Sequence, residues 1–237
     1  MHEELHALIP LLEGAQGMRL AGRMFHTGTL HGHAVVLTQS GIGKVAAAVS
    51  TTLAVQHFNA QALLFTGVAG GLSDGVEIGD LVLARALLQH DIDASPLFPR
   101  YEVPLTGCSR FAADEALSDA LRAAALRCIG RASFVSHGAG RARLHEGLVI
   151  SGDRFIATAA QGAALRAALP DALAVEMEGA AVAQVCAAFG TPFAVLRTIS
   201  DRADESAHGD FAAFIADVAS VVTRSVVQEW LAAMPCR

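Results

Sequence analysis

Residues 172–204, ALAVEMEGAAVAQVCAAFGTPFAVLRTISDRAD, decide how this chain is read, because they set carboxylates into an otherwise apolar run. Ala172 to Val175 reads as a short buried strand, Gly179 to Phe189 as an apolar helix, Gly190-Thr191-Pro192 as a turn, and Phe193 to Ile199 as a second buried strand. Strand-helix-strand units of this kind build α/β sheets. With both strands parallel in one sheet, Glu176 and Glu178 after the first and Asp201 after the second emerge at the same carboxyl edge, where open α/β sheets bind ligands. Taken singly, Glu178 fits equally the acidic first turn of a helix, and Asp201 a helix or turn cap. Their joint placement is what points to a site.

The setting of that stretch excludes several classes. At 237 residues the chain suffices for a substantial core, and residues 1–237 read as one domain. Apolar residues make up 53% and charged residues 17%, which suits central strands covered on both faces and leaves apolar surface for self-association. A net charge of −6 without a basic run gives no footprint for nucleic acid or an anionic membrane. The four cysteines, Cys108, Cys128, Cys186 and Cys236, form no CxxC pair and no zinc spacing, and no signal-peptide pattern opens the chain, so a reducing cytoplasm is expected. No apolar run has the length of a membrane span. The ten histidines are scattered without an HExxH or similar cluster, so no metal site is expected from them.

Upstream, Leu5, Leu8, Leu11 and Leu12 recur at helical spacing behind Glu3 and Glu4, predicting a helix from nearly the first residue, bent at Pro10. Arg23 to Leu30 and His33 to Gln39 are strand-like around a His31-Gly32 turn. Ser40-Gly41-Ile42-Gly43 is a tight loop opening a helix over Lys44 to His57. Such a loop can hold an anion on free N–H groups, but it lacks the GxxxxGK(S/T) spacing of a P-loop and the full GxGxxG fingerprint; a close-packed turn is the simpler reading. Ala62 to Thr66 is a buried strand entering Gly67-Val68-Ala69-Gly70-Gly71, either a sharp turn or a place where a ligand approaches the backbone.

Gly79 to Leu88 follows as a strand, then a proline-rich loop with Leu97, Phe98 and Tyr101, of the kind that forms lids or contact surfaces. Phe111 to Cys128 is amphipathic and helical. Ala132 to Val135 and His145 to Ile150 are strand candidates, the second leading to Phe155, which fits the core or a stack on a planar heterocycle. Phe211 to Ala233 forms a closing helix with Trp230 near its end.

Five motifs in order, SGIGKVAAA (Ser40 to Ala48), FTGVAGGL (Phe65 to Leu72), ISGDRFI (Ile150 to Ile156), AVEMEGAAVAQVC (Ala174 to Cys186) and RTISDRAD (Arg197 to Asp204), resemble the 5′-methylthioadenosine/S-adenosylhomocysteine nucleosidases of the purine nucleoside phosphorylase superfamily. The resemblance implies a three-layer α/β fold whose central mixed, partly barrel-like sheet is flanked by helices. It implies hydrolysis of the N-glycosidic bond of both thio-nucleosides in methionine salvage, without cofactor or metal, by a homodimer whose Leu97, Phe98 and Tyr101 loop closes the partner's pocket.

Residue by residue, it implies Asp201 as the acid for adenine N7, oriented by Ser200. Glu178 would bind the ribose hydroxyls, and Glu4 would activate water near Arg197. Phe155 would stack on adenine, the Ile156 backbone would read its edge, and Met177 would line the ribose. Ile42, Ala69 and Gly70 would complete the pocket, and Glu176 matches a nearby acidic position. Such a reaction needs the base protonated, the sugar cation stabilised and water positioned.

Family members begin with a strand that ends just before Met1, so the first strand of the sheet is expected to be missing from this chain, and Val68 stands where serine is usual. Related phosphorylases hold phosphate with a basic residue at the position of Phe65, which cannot do so; water is the expected nucleophile. A phosphorylase, a futalosine-type hydrolase and a non-catalytic nucleoside-binding homologue are the alternatives.

Overall fold

Leu81–Gln89 (β5) is buried at nearly every position, as the apolar sequence LVLARALLQ requires of a strand covered on both faces. The computed structural model describes residues 2–131, 141–204, 214 and 218–235. Around β5 stand β4 (Leu63–Gly71), β7 (Leu144–Ser151), β8 (Ala172–Glu176) and β9 (Phe193–Asp201), with the short β6 (Arg110–Ala112) beside β5. The order β6-β5-β7-β8-β4-β9 closes on itself through pairing of β5 with β9, so five of these strands form a barrel-like ring. A separate three-stranded antiparallel sheet holds β1 (Glu13–Leu20), β2 (Arg23–Leu30) and β3 (His33–Thr38).

Helices cover the ring on both sides. Leu8, from α1 (His2–Leu8), and Leu121, from α3 (Glu115–Ile129), pack with Leu83, Phe214 and the Val222, Val226 and Trp230 face of α6 (Ser220–Ala233). Ala47 of α2 (Lys44–Gln56) and the small residues Ala180, Ala181 and Ala183 of α5 (Gly179–Phe189) pack on Val82, Ala84 and Val195. Helix α4 (Ala159–Ala168) follows the loop after β7.

Several expectations need correction. Strands β8 and β9 share one sheet but are not parallel: β4 stands between them, parallel to β9 and antiparallel to β8, which it meets only at Gly70–Val175 and Gly71–Ala174. Barrel closure thus brings the carboxyl ends of β8 and β9 together from opposing directions. Gly67 to Gly71 is not a turn but the end of β4, and its glycines make room for side chains. A Cβ on Gly67 would lie 2.1 Å from Arg197 Nη1, and one on Gly70 2.8 Å from Asp201 Oδ1.

The first helix does not bend at Pro10 but passes at Ile9 into a 3-10 turn. Phe111 belongs to β6, because Asp114 accepts the Leu117 N–H at 2.8 Å and caps α3 there. β1 has no sequence signal, since it is exposed along nearly its whole length and lacks alternation. The strand expected over Ala132 to Val135 lies outside the described residues, as does most of the closing helix's expected start. Among the described strands β3 pairs with β2 alone, and β4 from Leu63 to Ala69 pairs with β9 alone, so each keeps an open edge.

Leu83 is fully buried in β5 beneath α3 and α6. Leu83→Ala is expected to lower the unfolding free energy by about 3 kcal/mol, read from urea denaturation.

Candidate active site

A buried ion pair between β8 and β9 anchors the site. Arg197 Nη2 donates to Glu176 Oε2, and the two side chains are 2% and 3% exposed. Burying such charges is costly unless every lone pair is used. Glu176 meets that condition at the start of α5. Its oxygens accept the Gly179 N–H at 2.9 and 2.8 Å, the Glu178 N–H at 3.0 Å, and the Ser151 hydroxyl. Ser151 Oγ in turn accepts the Ala180 N–H at 2.7 Å. The guanidinium lies 4.1 Å above the Phe65 ring centroid, and its Nη1 uses the space left by Gly67. Arg197 Nε is buried without a partner among the described residues.

Glu178 sits at the N-cap of α5, half-buried, and accepts the Gly43 N–H at 2.9 Å. Burial and then the adjacent Glu176 carboxylate push its pKa up, against Arg197 and backbone N–H groups that pull it down. The Ser40–Gly43 loop is thus a close-packed turn, and the N–H groups of Gly43 and Lys44 are taken by the protein's own carboxylates. Gly43 serves Glu178 and Lys44 N–H serves Asp153, at 2.7 Å.

Asp201 ends β9, 5% exposed. The Ser200 hydroxyl donates to its Oδ2 at 2.8 Å and the Ala203 N–H to its Oδ1 at 2.8 Å. Ser200 Oγ also lies 3.4 Å from the Ala69 carbonyl, and Gly70 pairs with Asp201 in the ladder. Strand pairing thus brings Asp201, Ser200, Ala69, Gly70, Arg197 and Glu176 to one region of the ring, and the N-cap of α5 adds Met177 and Glu178.

The other predicted residues are placed as follows. Ile156 is buried while Phe155 beside it is 41% exposed, and Ile42 is 75% exposed. Glu4 is buried on α1 and accepts the Thr223 hydroxyl of α6 at 2.6 Å, tying it to the α1–α6 packing. Leu97 is 85% exposed, whereas Phe98 and Tyr101 are half-buried, Tyr101 against Leu88 and its neighbours. Sequence reading passed over Ser151, Lys44, Asp91 and Asp153, although the carboxylates stand in HDID and SGDRF directly after strands.

A model of the phosphorylase superfamily matches residues 1–229. The chain belongs to the phosphorylase superfamily. Among solved structures it resembles 5′-methylthioadenosine/S-adenosylhomocysteine nucleosidase of Neisseria meningitidis in complex with methylthio-immucillin-A, at 34% identity over 99% of this chain and 96% of that one, TM-score 0.89. A Helicobacter pylori nucleosidase carrying an aspartate-to-asparagine substitution, with 5′-methylthioadenosine in its active site, matches at 31% identity, the same coverages and TM-score 0.87. A mutant futalosine hydrolase of Helicobacter pylori matches at 32%, again over 99% and 96%, TM-score 0.86. Among the described residues of this superfamily member, no group of His, Cys, Asp and Glu is arranged to hold a metal ion. None of its described helices is long and apolar enough to cross a membrane.

A carboxyl whose folded pKa is raised contributes stability that is complete below the unfolded value and lost as pH rises through the folded one. Glu178→Gln removes that loss. The variant is expected to melt higher than the parent at pH 7.5, with the difference closing as pH falls below the ordinary carboxylate range, measured as Tm against pH.

Proposed function

We propose that this chain hydrolyses the N-glycosidic bond of 5′-methylthioadenosine and S-adenosylhomocysteine, releasing adenine and the 5-thio-substituted ribose. The observation that carries this reading is the convergence of Asp201, held by Ser200 and Ala203, with the Glu176–Arg197 pair and Glu178 where the ends of β8, β4 and β9 meet. Likeness to the Neisseria nucleosidase over nearly the full length of both chains supports it.

In this reading Asp201 gives its proton to adenine N7 as the C1′–N9 bond breaks, turning a poor anionic leaving group into a neutral base. Positive charge grows on the ribose, and Glu178, ionised and bound to the sugar hydroxyls, stabilises it. Its pKa is raised by burial and then by the neighbouring Glu176 carboxylate, and a cation forming on the sugar would relieve both. Water adds through oxygen to C1′ and yields its proton to Glu4, so the overall balance is nucleoside plus water to base plus sugar. Phe155 stacks on adenine, the Ile156 backbone reads its edge, Met177 lines the ribose, and Ile42, Ala69 and Gly70 close the pocket. Phe65, packed under Arg197, leaves no basic group at its position to hold phosphate, which favours water as the nucleophile.

We also assign a homodimer in a reducing cytoplasm, serving methionine salvage. The exposed apolar side chains Leu97 and Leu105 suit burial against a second copy, with Leu97, Phe98 and Tyr101 covering the partner's 5′ substituent. A futalosine-type hydrolase is the second reading, favoured by the Helicobacter pylori likeness.

In phosphate-free buffer, adenine release from both thio-nucleosides is expected, and Asp201→Asn is expected to lower kcat by at least about 100-fold, the usual weight of a general acid. No release from either, or release only with phosphate, sinks the proposal; release from futalosine alone selects the second reading. Light scattering on the eluting protein is expected to give twice the 24.6 kDa chain mass, and Leu97→Asp to shift it toward the monomer.

A further inference from the structure

One lysine joins three segments that are far apart in the sequence. Lys44, the first residue of α2, sends its ammonium to Asp91 Oδ1 at 2.6 Å and Gln89 Oε1 at 3.0 Å, and its backbone N–H to Asp153 Oδ1 at 2.7 Å. Asp91 completes the circuit, accepting the Asp153 N–H at 2.8 Å on its other oxygen. Gln89 extends it to α5 by donating to Gln184 Oε1 at 2.6 Å. Between Gln89 and Asp91, the His90 ring packs against Gly152, where a Cβ would lie 2.4 Å from Nε2; burial lowers the pKa of His90 and favours the neutral ring. Burial alone would raise the pKa of Asp91, but the Lys44 ammonium and the Asp153 N–H outweigh it and carry it below its usual value.

The chain on either side of this circuit carries the proposed contact residues. Gly43, directly before Lys44, donates to Glu178, and a Cβ on Gly43 would lie 2.9 Å from Asp153 Oδ1. Phe155 and Ile156 lie two and three residues after Asp153 in the chain. The side chains of Lys44 and Asp91 are 18% and 30% exposed, so as a charge pair they are partly screened and contribute little to global stability. Their geometric effect is larger, because the Lys44 ammonium and the Asp153 N–H end on one carboxylate, that of Asp91, while the Lys44 N–H ends on Asp153, so the two loops are tied to each other twice.

We propose that Lys44 is a positioning residue for the reaction: with Asp91 and Asp153 it clamps the Ser40–Gly43 loop to the segment bearing Phe155 and Ile156, and so sets the ribose carboxylate against the purine face. This rests on the nucleosidase reading of Glu178 and Phe155. The ammonium supplies what no neutral residue can, a charge-assisted bond to Asp91 that holds while both loops meet solvent.

The test compares Lys44→Met, Asp91→Asn and the double variant with the parent. KM for 5′-methylthioadenosine and the calorimetric Kd for adenine are expected to rise about tenfold in Lys44→Met, the scale of one lost charged hydrogen bond, with kcat falling less. The acid limb of kcat/KM is expected to move to higher pH, because a loosened Gly43 N–H no longer lowers the pKa of Glu178. Glu176 and Arg197, which also face Glu178, are untouched by these substitutions. The double variant is expected to be no worse than Lys44→Met, since both changes open one circuit. Variants that fold with KM, adenine Kd and acid limb all within twofold of the parent overturn the proposal, as does strict additivity. Should the parent release no adenine, the nucleosidase reading falls, and the adenine Kd still decides the clamp.

Discussion

The buried pair of Glu176 and Arg197 is the constraint on which the surrounding structure depends. Two charges removed from water are tolerated only when the Coulombic attraction is joined by hydrogen bonds to the remaining lone pairs. The protein supplies them from the Gly179 and Glu178 N–H groups at the start of α5 and from Ser151 at the end of β7. Gly67 leaves room for the guanidinium and Phe65 lies beneath it. Strands β4, β7, β8 and β9 and one helix are thereby held to a single point. The residues flanking that point, Met177 and Glu178 on one side and Ser200 and Asp201 on the other, inherit its rigidity.

A second consequence concerns charge. The Ser40–Gly43 loop and the start of α5 are both helix N-termini, places that favour anions, and both are occupied by the protein's own carboxylates. Glu176 and Glu178 thus lie near one another, with the Arg197 guanidinium as their close counter-charge. Burial first, and then repulsion from Glu176, raises the pKa of Glu178, and the paired carboxylates dispose the site toward a ligand that becomes positive as it reacts. Inorganic phosphate would meet the opposite field.

The glycines of the FTGVAGGL stretch illustrate how far sequence reading reaches. Three glycines in five residues after Thr66 fit either a sharp turn or a backbone that a ligand approaches closely, and the strand in fact continues to Gly71. They are needed not for turning but for what lies beside them, Arg197 at Gly67 and Asp201 at Gly70, and those neighbours arrive from more than a hundred residues away. Strand β1 was invisible for a different reason: EGAQGMRL is exposed, so no face selects apolar residues. Asp91 and Asp153 stood in plain view as acids after strands, but only their shared partner Lys44 distinguishes them from solvated loop residues.

The sequence by itself determined the α/β class, the strand-helix-strand unit of β8, α5 and β9, and the identity of the carboxylates held in apolar company, because burial periodicity and the cost of desolvating charge are local properties of the chain. Only the tertiary structure decided that β8 and β9 meet from opposing directions across β4, that Glu176 pairs with Arg197 while Glu178 is left with a raised pKa, and that Glu4 is tied to Thr223. These depend on ring closure and on contacts between residues distant in sequence, and no local pattern encodes which buried charge finds which partner.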